Sequence, residues 1–214
     1  MLKIALLIVC LFPYSNGDLE FCRSLPSVPI SYEGFFDKPS YDLYSFNDDP
    51  SSCNTDIMEK VDDLKQQWVG INDSAIGMPK FNFKWYTQYT DYDEPEVYFG
   101  SGYVNEETGL IHAFYLSTKN TPEADYEVWR IIYQKDKIRV IYVCDSIVGT
   151  SGVPQYLYIV SSEKTFPEEV KVEIMAVLKK YGLDHFHSLT PIPHDNCKKM
   201  EDFMKSCTHP LHCY

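Results

Sequence analysis

The sequence lacks a long apolar run and is short of positive charge. Its N-terminal apolar run, Ile4–Phe12, holds nine residues, whereas a membrane-spanning helix needs about 20. No later apolar segment approaches the length of a membrane-spanning helix. Lys and Arg total 19 against 31 Asp and Glu, which gives a formal net charge of −12. Nucleic acids and anionic membrane surfaces repel such a chain and are excluded as partners, whereas a cationic ligand would be tolerated.

The apolar run at the N-terminus predicts a cleaved secretory signal over residues 1–17. Lys3 precedes the run, Pro13 ends it, and Ser15–Gly17 supplies small residues for the signal peptidase. The C-terminal tail is polar, so we expect no lipid anchor. Cleavage leaves 197 of the 214 residues, enough for one domain with a real core. We therefore expect a secreted, extracellular protein.

Six cysteines follow the predicted signal, and in an oxidising compartment they indicate disulfide bonds. Near the C-terminus, Cys207-Thr-His-Pro-Leu-His-Cys213 holds residues that could bind a metal. We predict a Cys207–Cys213 disulfide there instead, and no metal site. Asn72-Asp-Ser74 is the single N-glycosylation sequon, a short match that also arises by chance, and we take Asn72 as the predicted glycosylation site.

Alternation of apolar and polar residues predicts at least six strands in the middle of the chain. Before them, residues 18–52 have the composition of an extended arm. Gly100-Ser-Gly102 lies within strand-like sequence, where we expect a bulge or a bend. The predicted strands are Phe81–Trp85, Glu96–Val104, Leu110–Leu116, Tyr126–Tyr133, Ile138–Cys144 and Gln155–Ser161.

Two segments have the spacing of a helix. The first predicts a short N-terminal helix over Asp56–Gln67, although a strand within residues 54–80 stays open. The second begins with Thr165-Phe-Pro-Glu168, a capping box with proline in the first turn, and ends at Gly182. Strands followed by one such helix favour a mainly β protein, a barrel with a helix outside it. The apolar residues in the two segments are Ile57, Val61, Leu64 and Trp68, and Val170, Ile174, Val177, Leu178 and Tyr181.

Three stretches of the C-terminal half resemble one known family. Arg139–Cys144 is similar to a strand that ends in a cysteine, Tyr156–Val160 to a last barrel strand, and Phe166–Asp184 to a helix with its exit. In this order they resemble lipocalins, in particular the apolipoprotein D type and the lipocalin domain of violaxanthin de-epoxidase-type proteins. The resemblance implies an eight-stranded antiparallel up-and-down barrel over residues 18–197, followed by a Cys/His-containing tail over residues 198–214.

The resemblance also implies a pairing of the other four cysteines. Four cysteines allow three pairings, and their number does not choose among them. The lipocalin pattern implies Cys22–Cys144 and Cys53–Cys197.

A further implication is a binding function for the barrel interior. The ligand would be one small hydrophobic molecule, such as a fatty acid, retinoid, sterol or tetrapyrrole, bound without a chemical step, cofactor or metal. Residues that face the interior come from alternate positions of each strand. The candidate ligand-binding residues are Phe81, Phe83, Trp85, Tyr98, His112, Phe114, Tyr126, Val128, Tyr142, Tyr156 and Tyr158.

Three other functions stay open. Asp125-Tyr-Glu-Val-Trp129 resembles the Tyr-Glu-Leu-Trp strand of tick lipocalins, and Glu127 beside aromatic walls would suit a biogenic amine. An enzyme on the same frame, a de-epoxidase or isomerase, would use buried Asp and Tyr side chains as acid–base groups. A structural or interaction protein would have its cavity filled by its own side chains.

Overall fold

The computed structural model describes residues 25–30, 39–45, 51–62, 68, 77–89, 95–105, 108–117, 125–145, 155–183 and 190–206. The predicted signal, Asn72, Cys22, Cys207 and Cys213 lie outside these ranges. No helix within them is long and apolar enough to cross a membrane. The elements, in chain order, are β1 (Pro39–Ser45), β2 (Ser51–Val61), β3 (Lys80–Tyr89), β4 (Glu96–Asn105), β5 (Leu110–Ser117), β6 (Asp125–Lys135), β7 (Ile138–Asp145), β8 (Gln155–Ser161), α1 (Glu168–Lys180), β9 (Thr190–Pro191) and α2 (Lys198–Ser206).

Strands β1 to β8 form a closed antiparallel barrel. Each strand from β2 to β7 pairs with the next along the chain, and β1 pairs with both β2 and β8 to close the ring. The short strand β9 pairs with β1 and adds no strand to the ring. The structure thus confirms the eight-stranded up-and-down barrel and contains all six strands predicted from alternation.

The predicted N-terminal helix is wrong where the structure describes it, because residues 51–61 form strand β2. The strand pairs with β3 continuously from Asp56, opposite Trp85, to Val61. The sequence misled because Ile57 and Val61 are four residues apart, a spacing that places two side chains on one face of either a helix or a strand. Residues 63–67 lie outside the described ranges.

The glycines of β4 serve packing and do not form the expected bulge. The register of β4 with both neighbouring strands is unbroken from Tyr98 to Tyr103. The rings of Phe83 and Phe81 instead lie over Gly100 and Gly102, and a Cβ atom at either glycine would clash both with the ring and with a backbone carbonyl of β5. The two phenylalanines are buried in the cluster that fills the barrel interior.

Gly100→Ala is expected to lower the free energy of unfolding by about 1–3 kcal/mol, the usual cost of overpacking a dense core. Urea unfolding followed by circular dichroism would measure the loss. Adding Phe83→Leu removes the ring and leaves only the clash with the Phe114 carbonyl, so the double variant should lose less than the sum of the two single losses. Strictly additive losses would contradict this account of the glycine.

Helix α1 confirms the predicted C-terminal helix and packs on the outside of the barrel. Its buried residues Val170, Ile174 and Leu178 contact a cluster that includes outward-facing side chains of β6, β7 and β8. Gly182 follows the helix at φ +64°, a left-handed conformation that suits glycine. The predicted capping box does not form, because α1 begins one residue after Pro167 and no side chain caps it.

Helix α2 lies where the sequence predicted only a Cys/His-containing tail. Met200 and Phe203 pack against outward-facing aromatics of β3 and β4. The Cys53–Cys197 disulfide fixes the start of the helix, and Lys84 Nζ donates a 3.0 Å hydrogen bond to a backbone carbonyl near its end. The spacing of Met200, Phe203 and Met204 at i, i+3 and i+4 is the signal that could have predicted this helix.

Candidate ligand-binding cavity

A cavity of about 50 Å³ lies inside the barrel. Six of the eight barrel strands contribute to it, because alternate residues of each strand face the interior. Its walls are mainly apolar and aromatic, and they include three carboxylates from three different strands. The lining residues are Asp42, Asp56, Met58, Phe83, Trp85, Glu127, Trp129, Ile141, Val143, Tyr158 and Val160.

The aromatic walls of the cavity hold one another in place. The ring of Trp85 stacks on Tyr98 with centroids 4.9 Å apart, and the ring of Tyr158 meets Trp85 edge-on at 6.1 Å. Trp129 meets Phe83 edge-on at 5.5 Å. Such offset and edge-on pairs add to the stability that apolar burial provides, so the walls are preformed.

Asp42, Asp56 and Glu127 are the charged residues that line the cavity, and no lysine, arginine or histidine lines it within the described ranges. Glu127 is held by two donors: Tyr115 Oη donates to Oε1 at 2.9 Å, and Trp129 Nε1 donates to Oε2 at 2.6 Å. The described residues contain no group of three or more His, Cys, Asp or Glu side chains that could hold a metal ion.

The Asp56 carboxyl titrates near neutral pH. Burial raises the pKa of Asp56 from 3.8 to about 7, and the positive charge of Arg139 opposes part of that shift. Arg139 is itself buried, and its burial lowers the pKa of the guanidinium. Arg139 and Val160 are paired residues of β7 and β8, so the guanidinium shares the inner face with the cavity-lining Val160.

Five of the predicted ligand-binding residues face the barrel interior. Phe83, Trp85 and Tyr158 line the cavity directly. Phe81 fills the interior beside Phe83, and Tyr98 stacks on Trp85. Their role as ligand contacts stays a prediction. The side chain of Tyr156 lies outside the described residues.

The other five candidates lie on the outer face of the barrel, which corrects the predicted parity of β5, β6 and β7. Glu127 and Trp129 line the cavity, so the alternate residues Tyr126 and Val128 face outward, as do their partners Phe114 and His112. On the outside, the ring of His112 stacks on Tyr103 at 4.5 Å, and His112 Nδ1 and Tyr126 Oη share a 2.6 Å hydrogen bond.

Tyr142 is the fifth residue whose predicted direction is wrong. Its neighbours Ile141 and Val143 line the cavity, whereas Tyr142 is buried beneath α1. Alternation could not separate the two faces of β7, because one face packs in the interior and the other under a helix. Both faces are therefore apolar.

Sequence reasoning missed several residues of the cavity. Asp42 lies in the segment interpreted as an extended arm, and Asp56 in the predicted helix. Aspartates are mostly exposed, so neither was expected in a cavity. Glu127 and Trp129 were named only for the amine alternative, for which their two-residue spacing was the signal. The remaining lining residues that were not predicted are Met58, Ile141, Val143 and Val160.

Comparison with solved structures identifies the fold of the chain, whereas comparison with families and curated proteins finds no match. No protein-family model and no curated protein matches the chain. Among solved structures, lobster apocrustacyanin A1 is 12% identical and gives a TM-score of 0.51, with 80% of this chain and 91% of that chain covered. Insecticyanin from the tobacco hornworm Manduca sexta is 13% identical and gives 0.52, with coverage of 75% and 79%. The chain has the lipocalin fold.

A third structure of the same kind is H1 crustacyanin from the lobster Homarus americanus, 12% identical with a TM-score of 0.52. It covers 82% of this chain, and this chain covers 93% of it. At such identities the likeness establishes the lipocalin fold and nothing about the ligand. The Cys53–Cys197 disulfide implied by the lipocalin resemblance is present, with Cα atoms 5.4 Å apart. The special closeness to apolipoprotein D-type and violaxanthin de-epoxidase-type proteins stays a prediction.

Proposed function

We propose that this lipocalin-fold protein is a secreted binding protein that holds one small molecule in its barrel cavity and performs no chemical step. The observation that carries the proposal is the cavity itself, preformed by paired aromatic rings inside a closed barrel. Such walls bury the apolar body of a ligand, and a few polar groups fix its orientation. Secretion rests on the sequence of residues 1–17, which predicts a cleaved signal.

The ligand that the cavity favours is an organic amine with an aromatic or apolar body. Asp42, Asp56 and Glu127 all line the cavity, and a protonated amine gains from both the carboxylates and the faces of Trp85 and Trp129. A fatty acid would bring a further negative charge beside these groups. A retinoid, sterol or tetrapyrrole would need the aromatic side chains to move further than a small amine would, because all of these molecules are larger than the cavity of about 50 Å³.

Quenching of tryptophan fluorescence can test the ligand class. Histamine and tyramine should bind more tightly than oleate or retinol. Glu127→Gln removes the charge while keeping the shape, and it should weaken amine binding about tenfold or more, the usual scale for a hydrogen bond to a charged group. Glu163→Gln, which changes an exposed carboxylate paired with Lys137, is the matched control and should bind as the parent does. Tight oleate or retinol binding without amine binding would reject the amine.

A co-purified ligand would test carriage independently. Protein secreted from cells and purified natively can be extracted with organic solvent, and the extract examined by absorption and mass spectrometry. One small molecule per protein chain supports carriage. An empty cavity together with turnover of a candidate substrate would favour the de-epoxidase or isomerase alternative.

A further inference from the structure

Strand β2 has one extra residue beside the cavity. Its register with β3 shifts between Ser52 and Thr55, so that Cys53 and Asn54 together lie opposite the single residue Thr87. Such a β-bulge leaves the extra residue without a partner in the ladder and bends the strand locally. Cys53 also has a φ of 57°, a left-handed conformation that is uncommon for a residue with a side chain.

The two residues of the bulge have partners on opposite faces of the barrel wall. Cys53 forms the disulfide with Cys197 and belongs to the outer cluster beneath α2. Its backbone N–H donates to the carbonyl of Pro193 at 2.9 Å, a second tie to the segment that precedes α2. Asn54 is completely buried, and its Oδ1 accepts a hydrogen bond from Nε1 of Trp85, a wall of the cavity.

Within the described residues, the side chain of Trp85 makes one hydrogen bond, to Asn54 Oδ1. Stacking on Tyr98 and the edge-on contact with Tyr158 hold the plane of the indole, and the hydrogen bond adds the direction in which its N–H edge points. A buried indole N–H needs an acceptor, and leaving it without one costs about 1–3 kcal/mol. The position of Asn54 Oδ1 therefore selects the orientation in which Trp85 forms the cavity wall.

We propose that Asn54 is a positioning residue of the cavity, which orients the indole of Trp85 and is itself held in place from the outer face by the Cys53–Cys197 disulfide. The ring position follows from the geometry alone. Its consequence for ligand affinity rests on the proposed function. The amide nitrogen of Asn54 has no hydrogen-bond partner among the described residues, so the side chain acts through its oxygen.

Fluorine NMR of protein labelled with 5-fluorotryptophan would test the ring position without any ligand. The chain has three tryptophans, and Trp85→Phe and Trp129→Phe assign two of the resonances. Asn54→Leu keeps the approximate volume and removes the acceptor, so the Trp85 resonance should shift or split while that of Trp129 stays. Asn54→Ala is a smaller variant with the same expectation. Asn54→Asp keeps an oxygen acceptor and should retain a single Trp85 resonance near its original position.

The matched control is Thr55→Val, at the residue that follows the bulge. Thr55 is also completely buried, and its Oγ1 donates to the carbonyl of Ser40 in β1 at 2.6 Å. This variant loses a buried hydrogen bond next to the bulge but should leave the Trp85 resonance unchanged. If Thr55→Val moves that resonance as much as Asn54→Leu does, Asn54 is merely structural and the proposal fails.

Two further measurements separate this proposal from the proposed function. The double variant Cys53→Ala, Cys197→Ala should move the Trp85 resonance in the same direction as Asn54→Leu, and both should bind tyramine about tenfold more weakly than the parent, the scale of one lost orienting contact. An unshifted Trp85 resonance in Asn54→Leu and Asn54→Ala overturns the positioning role. Shifted resonances with no amine bound by any variant, parent included, retain the positioning role and reject the amine.

Discussion

Replacing Cys53 and Cys197 together with alanine is expected to lower the free energy of unfolding by about 3–5 kcal/mol. The bond joins residues 144 apart in sequence, and a crosslink over so long a loop removes much entropy from the unfolded chain. The double variant also loses the covalent tie that starts α2, so Met200 and Phe203 should pack less firmly against the barrel.

Chemical unfolding in urea, followed by far-ultraviolet circular dichroism, gives the loss of stability directly. Asp195→Ala is the control, because this exposed residue lies beside the disulfide and its change should stay within about 0.5 kcal/mol. A loss below about 1 kcal/mol in the double variant would contradict the role assigned to the bond. Hydrogen exchange should show α2 opening before the barrel, since its anchor is gone.

The sequence predicts the barrel well where one face of a strand differs from the other or where a turn is clear. The strands from Phe81 to Ser161 alternate, and α1 has a full apolar stripe, so their existence and order follow from periodicity. Strand β2 could not be separated from a helix, because its apolar residues Ile57 and Val61 satisfy both periods. The pairing with β1 and β3 decides the matter, and that pairing is a long-range property of the chain.

The direction of side chains within a strand was harder to predict than the strand itself. In β5, Ala113 faces the interior and Phe114 the outer face, and the outer side chain is the larger of the two. An outer cluster of stacked rings and a covering helix make both faces apolar, so size and hydropathy do not identify the inside. Asp42 and Asp56 are the opposite case, because they are charged and yet face the interior. Aspartates are mostly exposed, and only closure of the barrel brings these two carboxylates into its interior.

Binding of tyramine is expected to weaken as pH falls below about 7, by at most about tenfold for each pH unit and about 50-fold between pH 7 and pH 5. Burial raises the pKa of Asp56 to about 7, and protonation removes one negative charge that would face the ammonium. Asp42 from β1 and Glu127 from β6 line the same cavity, and the positive charge of Arg139 from β7 lowers the pKa of Asp56. Tyramine keeps its ammonium charge throughout, so the protein alone titrates.

Without a ligand, the same carboxyl should give stability the opposite dependence on pH. The native state binds the Asp56 proton below about pH 7, whereas the unfolded chain releases it near its ordinary pKa of 3.8. The native state thus holds more protons between these values, and the free energy of unfolding contributed by Asp56 falls as pH rises through them.

Asp56→Asn should flatten both curves, while Asp62→Asn, at an exposed carboxylate just beyond β2, should change neither. Calorimetric titration with tyramine and thermal unfolding from pH 5 to pH 8 measure the two curves. Affinity that stays constant over this range would exclude Asp56 from the ligand site. Opposite slopes that both vanish in Asp56→Asn would show that the ionised Asp56 carboxylate lowers the stability of the ligand-free protein and strengthens cation binding at neutral pH.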